Sequence, residues 1–169
     1  FFGAHNNLGI TLQSQGRLDE ARSSYMQAVA LKPDFAEAHY NLGVTLQNLD
    51  RVDEAVESYL RAIEQRPEYA EAHYNLGITF KNMGRLDDSE ASYRRAIASR
   101  PKYAEAHCNL GVTLQDLGRH DEAEASYKKS LELKPDYAEA HYNFGVLLQE
   151  LGRFSEAELS YSLTIASNP

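Results

Sequence analysis

One short pattern recurs at a fixed interval along the whole chain. The dipeptide Ala-His begins at positions 4, 38, 72, 106 and 140, so each copy follows the last by 34 residues. An apolar residue followed by glycine keeps this interval, at Leu8-Gly9, Leu42-Gly43, Leu76-Gly77, Leu110-Gly111 and Phe144-Gly145. The prolines keep it too, at Pro33, Pro67, Pro101, Pro135 and Pro169. A period of this length predicts a stack of equivalent units, because one unit cannot bury its apolar faces alone.

Each repeat has the spacing of two amphipathic helices. In the second repeat, His39, Gly43 and Leu46 lie at i, i+4 and i+7, which places them on one face of a first helix. A second set with the same spacing follows at Ala55, Tyr59 and Ala62. We therefore predict an all-α chain whose repeats span about residues 2–35, 36–69, 70–103, 104–137 and 138–169 and form a single array.

The helix boundaries follow from capping and turn residues. We predict a first helix from about Ala36 to Leu49 and a second from Asp53, as the N-cap, to about Gln65. Glycine stands where the first helix must end in a left-handed conformation, at Gly16, Gly84, Gly118 and Gly152. The second repeat has Asp50 at this place, and aspartate adopts that conformation at a higher cost.

The repeat resembles a known family. The resemblance rests on one motif per repeat, which in the second repeat is His39-x2-Leu42-Gly43-x2-Leu46, then Ala55-x3-Tyr59 and Pro67. This motif is similar to the tetratricopeptide repeat (TPR), which usually has Trp and Tyr in place of His39 and Leu46. The resemblance implies a right-handed α-α superhelix, a solenoid of five 34-residue helix-turn-helix units. It also implies a concave groove, lined by first helices, that binds peptides or partner proteins without catalysis or a cofactor.

Composition narrows the range of partners and compartments. The formal charge of −8 and the pI near 5.2 disfavour nucleic acid, which usually binds a basic face. No apolar run is long enough for a membrane span, and the first residues lack the features of a signal peptide. A single cysteine, Cys108, is compatible with a reducing compartment. We expect a soluble, cytoplasmic protein, and the absence of an initial methionine suggests a piece of a longer chain.

An asparagine stands at the same place in every repeat, on the first-helix face expected to line the groove. These residues are Asn7, Asn41, Asn75, Asn109 and Asn143. A carboxamide has a donor and an acceptor, so it can pair with the N–H and C=O of an extended peptide backbone. The series is similar to the asparagine ladder in the TPR superhelix of O-GlcNAc transferases. The alternative is a structural role, with each asparagine hydrogen-bonded locally within its own hairpin.

Further candidates for peptide contact lie beside this asparagine ladder. Tyr40, Tyr74 and Tyr142 would add flat amphipathic surfaces, or would instead cover the neighbouring helix. The same helical face carries Val44, Ile78, Val112, Gln47 and Lys81. Tyr40 and Tyr74 stand where a carboxylate-binding lysine would be needed, so a carboxylate clamp is not expected. Acidic residues, among them Glu37, Glu71, Glu105, Glu139, Asp116 and Glu150, favour a neutral or basic segment as the partner.

Metal binding and catalysis find little support in the sequence. The histidines at 5, 39, 73, 107 and 141 occur once per repeat, and neighbouring layers of helices lie about 8–10 Å apart. One zinc ion needs nitrogen ligands at about 2.0–2.1 Å, so histidines from neighbouring layers cannot share an ion. We expect these histidines instead to be half-buried at the hairpin seam. No phosphate-binding loop or nucleophile motif is present. We therefore predict that the chain is not an enzyme and uses no metal.

Two other functions remain open. The last helix is expected to leave an apolar stripe around Tyr161 and Ile165 uncovered, and Phe1 and Phe2 could do the same at the other end. End-to-end association or a dimer would cover these surfaces, so a self-assembling scaffold is one alternative. The other is a substrate-docking arm of a larger enzyme, such as a glycosyltransferase of the O-GlcNAc type.

Overall fold

A computed structural model describes residues 1–167; Asn168 and Pro169, including the predicted register position of Pro169, lie outside them. The described residues form ten α-helices and no strand. The helices are α1 (Phe2–Ser14), α2 (Leu18–Leu31), α3 (Ala36–Asn48), α4 (Val52–Gln65), α5 (Ala70–Asn82), α6 (Leu86–Ser99), α7 (Ala104–Asp116), α8 (His120–Leu133), α9 (Ala138–Glu150) and α10 (Phe154–Ser167). The predicted all-α class, with two helices in each repeat, is confirmed.

The contacts divide the chain into two compact parts, residues 1–79 and residues 80–169, which we describe separately. In the N-terminal part, α1 packs on α2 and α3 packs on α4, while α2 also packs on α3 and α1 contacts α3. In the C-terminal part, α7 packs on α8 and α9 on α10, while α6 packs on α7, α8 on α9, and α7 contacts α9. Within each part, two helices form a hairpin, and each hairpin stacks on the next one.

A glycine and a tyrosine set the distance between the paired helices. Tyr59 is fully buried, and a Cβ atom added at Gly43 would lie 2.7 Å from its Cδ1 and Cε1 atoms. The same contact recurs between Gly9 and Tyr25, where the nearest ring atom would lie 2.5 Å away, and between Gly111 and Tyr127 at 2.7 Å. The paired helices therefore approach closely at these glycines, since any side chain there would overlap the ring.

The turn inside each hairpin has a left-handed residue, as predicted. The backbone φ is 74° at Gly16 and between 72° and 73° at Gly84, Gly118 and Gly152. Asp50 adopts φ 59° and is the only residue other than glycine with positive φ in the described part of the chain. Its amide donates to the Gln47 carbonyl at 3.0 Å, and the Arg51 amide donates to the Leu46 carbonyl at 2.9 Å. These bonds close the end of α3 and lead the backbone directly into α4.

The predicted N-cap of the second helix is wrong. Helix α4 begins at Val52, its N-cap is Arg51, and Asp53 is the second residue of the helix. The helix starts directly after the turn residue Asp50 and the N-cap Arg51, because the Arg51 carbonyl already accepts the Ala55 amide at 3.0 Å. The Asp53 carboxylate lies in the first turn, where it favours the helix through the macrodipole and not through a cap hydrogen bond.

An arginine–acid pair marks the start of every second helix. The Nε and Nη2 atoms of Arg51 donate to the two carboxylate oxygens of Glu54 at 2.6 and 2.7 Å. The equivalent pairs are Arg17–Glu20, Arg85–Asp88, Arg119–Glu122 and Arg153–Glu156. Each joins residues i and i+3 on an exposed surface, so each is expected to stabilise its helix only slightly.

None of the helices in the described residues has the length and apolar character needed to cross a membrane.

Candidate functional site

Three of the five ladder asparagines are hydrogen-bonded to the preceding repeat, not within their own hairpin. Asn41 Nδ2 donates to Asn6 Oδ1 at 3.1 Å, and Asn75 Nδ2 donates to the Tyr40 hydroxyl at 3.0 Å. In the C-terminal part, Asn143 Nδ2 lies 3.7 Å from Cys108 Sγ. Each acceptor is 35 residues earlier and therefore belongs to the preceding repeat. The alternative of a structural role predicted a hydrogen bond within each hairpin. The observed acceptor instead depends on how one hairpin stacks on the next.

These bonds leave hydrogen-bonding capacity on the asparagines. A carboxamide has two N–H donors and one carbonyl acceptor, and each bond above uses one donor. Among residues 1–167, the Oδ1 atoms of Asn41, Asn75 and Asn143 accept no hydrogen bond. All three side chains are half-buried. Asn109 is half-buried as well and also interacts with another residue, whereas Asn7 is exposed on α1. The observed bonds orient the carboxamides without saturating them.

The tyrosines beside the ladder have different environments. The ring of Tyr40 packs against Tyr69, with centroids 5.0 Å apart, and against Tyr59 at 6.1 Å. It also borders the buried cluster of Ala36, Ala62, Tyr69 and Ala72, and burial raises the pKa of its hydroxyl. Tyr142 instead exposes 53% of its surface, and Tyr74 is half-buried on α5. Tyr40 thus covers the neighbouring helix, while Tyr142 offers an open ring.

A glutamine on the first helix joins three helices, a role that the sequence reasoning missed. Gln13 Oε1 accepts from the Tyr25 hydroxyl at 3.0 Å and from Thr45 Oγ1 at 3.0 Å. Gln47 Oε1 similarly accepts from the Tyr59 hydroxyl at 2.8 Å and is 3.5 Å from Thr79 Oγ1. These Gln, Tyr and Thr residues recur with the same 34-residue period, and this shared period could have indicated that they interact. Gln47, a predicted contact residue, therefore uses its carbonyl internally.

The remaining predicted contact residues are half-buried. They are Val44, Ile78 and Val112, one on each of α3, α5 and α7, together with Lys81 on α5. Lys81 stands at the place that glutamine occupies in the other repeats, and its Nζ lies 3.2 Å from Asp116 Oδ2. This ion pair neutralises one of the acidic residues assigned to the predicted groove.

A cavity between α1 and α3 brings several predicted residues together. Its volume is about 490 Å³, and its lining residues are Ile10, Gln13, Ser14, Leu18, Tyr25, Glu37, Asn41 and Asn48. Asn41 and Glu37 are therefore on one surface with Ile10, which occupies the same place in its repeat as Val44. Glu37 is exposed, and its charge contributes to the raised pKa values of Tyr25 and Tyr69, both about 12, for which burial is the main cause.

Four of the five repeated histidines donate a hydrogen bond to the turn before their own repeat, and His107 also lines a cavity with Ala125, Ser126 and Lys129 of α8, its hairpin partner. The Nε2 atom of His39 donates to the Pro33 carbonyl at 2.8 Å. The same bond joins His73 to Pro67, His107 to Pro101 and His141 to Pro135, over 2.8 to 3.2 Å. Burial lowers the pKa of His107. The described residues contain no group of three or more His, Cys, Asp or Glu side chains arranged to hold a metal ion.

Cys108 is placed as a packing residue. Its side chain is completely buried on α7, and burial raises the pKa of its thiol to about 12. A thiol is nucleophilic as the thiolate, which is scarce at neutral pH when the pKa is this high.

The exposed apolar surface of α10 differs in part from the prediction. Ile165 is 74% exposed, and Phe154, Leu159 and Leu163 are exposed as well. Tyr161 was wrongly assigned to this stripe, since its ring packs on Gly145 and its hydroxyl donates to Gln149 Oε1 at 3.0 Å. At the other end of the chain, Phe1 is exposed, whereas the ring of Phe2 packs edge-on against Phe35 with centroids 5.2 Å apart.

The helical hairpins and the polar face of their first helices define a repeat protein of the α-helical, interaction-module type. Sequence profiles of the family "TPR repeat" match residues 11–50 and 49–84, and profiles described as "Tetratricopeptide repeat" match residues 74–138 and 114–169. The chain belongs to the tetratricopeptide repeat family. TPR repeats generally serve as non-catalytic protein-interaction modules.

Solved structures with this fold include several TPR proteins. The crystal structure of MamA has a TM-score of 0.87 and 26% identity, over 94% of this chain and 93% of that one. TTC0263, a thermophilic TPR protein in Thermus thermophilus, has a TM-score of 0.75 and 27% identity, over 100% and 92%. YrrB, a TPR protein with an unusual peptide-binding site, has a TM-score of 0.81 and 24% identity, over 98% and 85%. No curated protein sequence matches the chain significantly.

Proposed function

We propose that this chain binds an extended segment of a partner protein along the first helices, through the amide groups of the asparagine ladder. The observation that carries the proposal is the orientation of Asn41 and Asn75. Each is held by one hydrogen bond to the preceding repeat and keeps one N–H and its Oδ1 for a ligand. A repeated donor–acceptor pair of this kind complements the backbone of an extended peptide, whose N–H and C=O groups recur regularly.

The surroundings of the ladder favour this use. The cavity of about 490 Å³ between α1 and α3 provides space beside Asn41, and Ile10 gives it an apolar wall. Val44, Ile78 and Val112 would provide the same wall in later repeats, and Tyr142 would provide a ring surface. YrrB supports the proposal only to the extent that a protein of this fold has a peptide-binding site. The specific relation to O-GlcNAc transferases stays a prediction.

The proposed ligand is neutral or basic. Glu37 is exposed in the cavity beside Asn41, so an acidic side chain of the ligand would be repelled there. Lys81 offers little compensation because it is paired with Asp116. A basic residue near Glu37 would add affinity at low salt, and this gain would shrink as salt screens the charges.

A peptide-library binding screen tests the proposal. The chain and its Asn41→Ala/Asn75→Ala/Asn109→Ala variant are screened in parallel, with circular dichroism to confirm equal helix content. We expect the variant to lose at least tenfold in affinity for any peptide selected, corresponding to about 1.4 kcal/mol or more. Gln27→Ala/Gln65→Ala removes exposed carboxamides from second helices and serves as the control. Equal binding by the ladder variant and the chain would refute the proposed site.

The exposed side chains of α10 favour one further candidate, self-association. Leu159 and Leu163, which are four residues apart on α10 and both exposed, form an apolar surface that a second copy could cover. Light scattering over a range of concentrations tests this directly, and a constant monomer mass would exclude it. The docking-arm alternative predicts instead that the chain holds a substrate of an attached enzyme, through the same asparagines.

A further inference from the structure

The C-terminal part contains a repeated ion pair between successive second helices. Arg119 Nη1 donates to Glu90 Oε2 at 2.6 Å, and Arg153 Nη1 donates to Glu124 Oε2 at 2.6 Å. Each glutamate is in the second turn of one second helix, and each arginine is the N-cap of the next, 29 residues later. The glutamates are mostly buried, with side-chain exposures of 14% and 16%. This geometry neutralises each N-cap arginine from the side.

The first repeat has the opposite charge at the equivalent place. The residue there is Arg22, and the residue 29 positions later is again an N-cap arginine, Arg51. Two guanidinium groups therefore line the position where the third and fourth repeats join a carboxylate to a guanidinium, while the second repeat has Val56 there. Arg51 is already bonded to both oxygens of Glu54. Arg22 has only a distant contact with Asp19 Oδ1, at 3.9 Å.

Arg22 is also left without a needed hydrogen bond. Its Nε atom is buried, and it is one of two buried side-chain nitrogen or oxygen atoms in the described residues that lack a partner, the other being His120 Nδ1. Buried polar groups are normally hydrogen-bonded, and an unpaired donor on a charged group is costly. In the third and fourth repeats the residue at this place, Glu90 or Glu124, gives a carboxylate to the next N-cap arginine, whereas Arg22 adds a second cation beside Arg51.

A cavity lies at this position. Its volume is about 310 Å³, and it is lined by Arg22, Met26, Leu42, Leu46, Arg51, Glu54, Glu57 and Ser58. Leu42 and Leu46 are buried and form an apolar floor, and Met26 is 52% exposed at the rim. The cavity thus places the Arg22 guanidinium beside a small apolar floor. This combination fits a carboxylate carried on a short aliphatic side chain.

We propose that this cavity binds a glutamate side chain of a partner protein, whose carboxylate lies beside the guanidinium groups of Arg22 and Arg51. The methylene groups would lie on Leu42 and Leu46, and the carboxylate would accept from the accessible part of the Arg22 guanidinium, a group well suited to bind carboxylates. This site is separate from the asparagine ladder: it is formed with α2 and α4, and its ligand has the opposite charge to the one proposed for the ladder.

Nearby acidic groups limit the strength of the site. Glu54 is held by Arg51, but Glu57 is exposed at the rim and would repel an acidic ligand. The net charge of −8 also opposes the approach of an anion, although exposed charges farther than about 8 Å are largely screened at physiological salt. Binding should therefore depend on local contact with Arg22 and should strengthen when Glu57 is neutralised.

Fluorescence anisotropy with a labelled acetyl-Glu-Leu-Glu-Leu-Glu-amide peptide tests the proposal. Arg22→Glu introduces the glutamate found in the third and fourth repeats, so the variant should remain folded and should lose at least tenfold in affinity. Arg22→Gln, which adds no opposing charge, should also lose most of the binding, and Glu57→Gln should gain about twofold or more. Arg61→Glu makes the same change of charge at an exposed position outside the cavity and should stay within twofold of the unmodified chain.

Several outcomes would overturn this assignment. Equal binding by Arg22→Glu and the unmodified chain would remove the cavity from consideration, as would an equal loss in Arg61→Glu, which would indicate a nonspecific charge effect. Equal binding of the peptide with Gln in place of Glu would exclude carboxylate recognition. Competition by inorganic phosphate at the same concentration as unlabelled peptide would indicate a small-anion site. Loss of ladder binding leaves this test unaffected, because its variants do not touch the asparagines.

Discussion

The Asn75 side chain donates a hydrogen bond to the hydroxyl of Tyr40 in the preceding repeat, with Nδ2 and Oη 3.0 Å apart. Tyr40 is half-buried against two other tyrosines, and burial raises the pKa of its hydroxyl. The bond therefore joins a residue facing the proposed groove to the packing between repeats. A ladder residue oriented in this way depends on its neighbouring repeat for its position.

The Tyr40–Asn75 bond should appear as a coupling energy. We expect Tyr40→Phe and Asn75→Ala to interact by about 0.5–1.5 kcal/mol in a double-mutant cycle of the free energy of unfolding, the usual range for one such bond. Chemical denaturation of the four proteins supplies the measurement. Additive effects of the two substitutions would mean that the bond does not stabilise the fold.

Gly43→Ala should destabilise the second hairpin. The added Cβ would lie 2.7 Å from the buried Tyr59 ring, whose hydroxyl is also bonded to Gln47, so the ring cannot move freely. Overpacking of this kind costs about 1–3 kcal/mol, partly offset by the better helix propensity of alanine. The free energy of unfolding in guanidinium chloride measures the effect.

Gly3→Ala is the matched control for that change. Gly3 is also helical, but its nearest neighbour atom would be Phe1 Cε1 at 3.3 Å, at the end of an exposed and movable side chain. The control should be neutral or stabilising by up to about 1 kcal/mol. If both substitutions had the same effect, close helix packing at Gly43 could not be the reason for glycine there.

Asp50→Gly should stabilise the protein by up to about 1 kcal/mol, since Asp50 has φ 59° and the equivalent glycines adopt φ 72–74° without a side-chain penalty. Part of the gain is lost because glycine has a more flexible unfolded state. Asp50→Asn should fall between the two, as asparagine tolerates this conformation well. Thermal unfolding followed by circular dichroism gives the order of stability; a lower melting temperature for the glycine variant would contradict the expectation.

Stability should fall on raising the pH above 10. Burial raises the pKa values of Tyr25 and Tyr69 from 10 to about 12 in the folded protein. Because the folded-state values exceed the unfolded ones, the unfolded chain releases these protons first, and their contribution to stability is present below pH 10 and is lost between pH 10 and about 12. Denaturation at a series of pH values should show the decrease.

Tyr25→Phe tests the origin of that decrease. The variant lacks one of the buried tyrosine hydroxyls that titrate, so its stability should fall less steeply between pH 10 and 12, despite losing the bond to Gln13 at all pH values. An identical slope in both proteins would assign the decrease to other groups, such as Tyr40, Tyr59 and Tyr127, whose pKa values burial also raises.

The sequence alone was sufficient to predict the repeats, the helices and the turns between them. The apolar spacing around Gly43 and Tyr59 predicted both helices of the second repeat to within one residue at three of the four ends, and the left-handed place of Asp50 was predicted as well. The one error of substance, Asp53 as N-cap, arose because the turn is tighter than cap preferences alone indicate. These features are local, since they depend on backbone conformation and on residues a few positions apart.

Tertiary structure decided which side chains meet. Asn75 was recognisable as a recurring carboxamide, but its bond to Tyr40, 35 residues away, depends on how far one hairpin is displaced and rotated against the next. The same holds for Arg22, whose unusual charge is visible in the sequence but whose unpaired Nε and adjoining cavity are not. Periodicity specifies which face of a helix is buried, whereas the partner of each polar group on that face follows only from the packed arrangement of the helices.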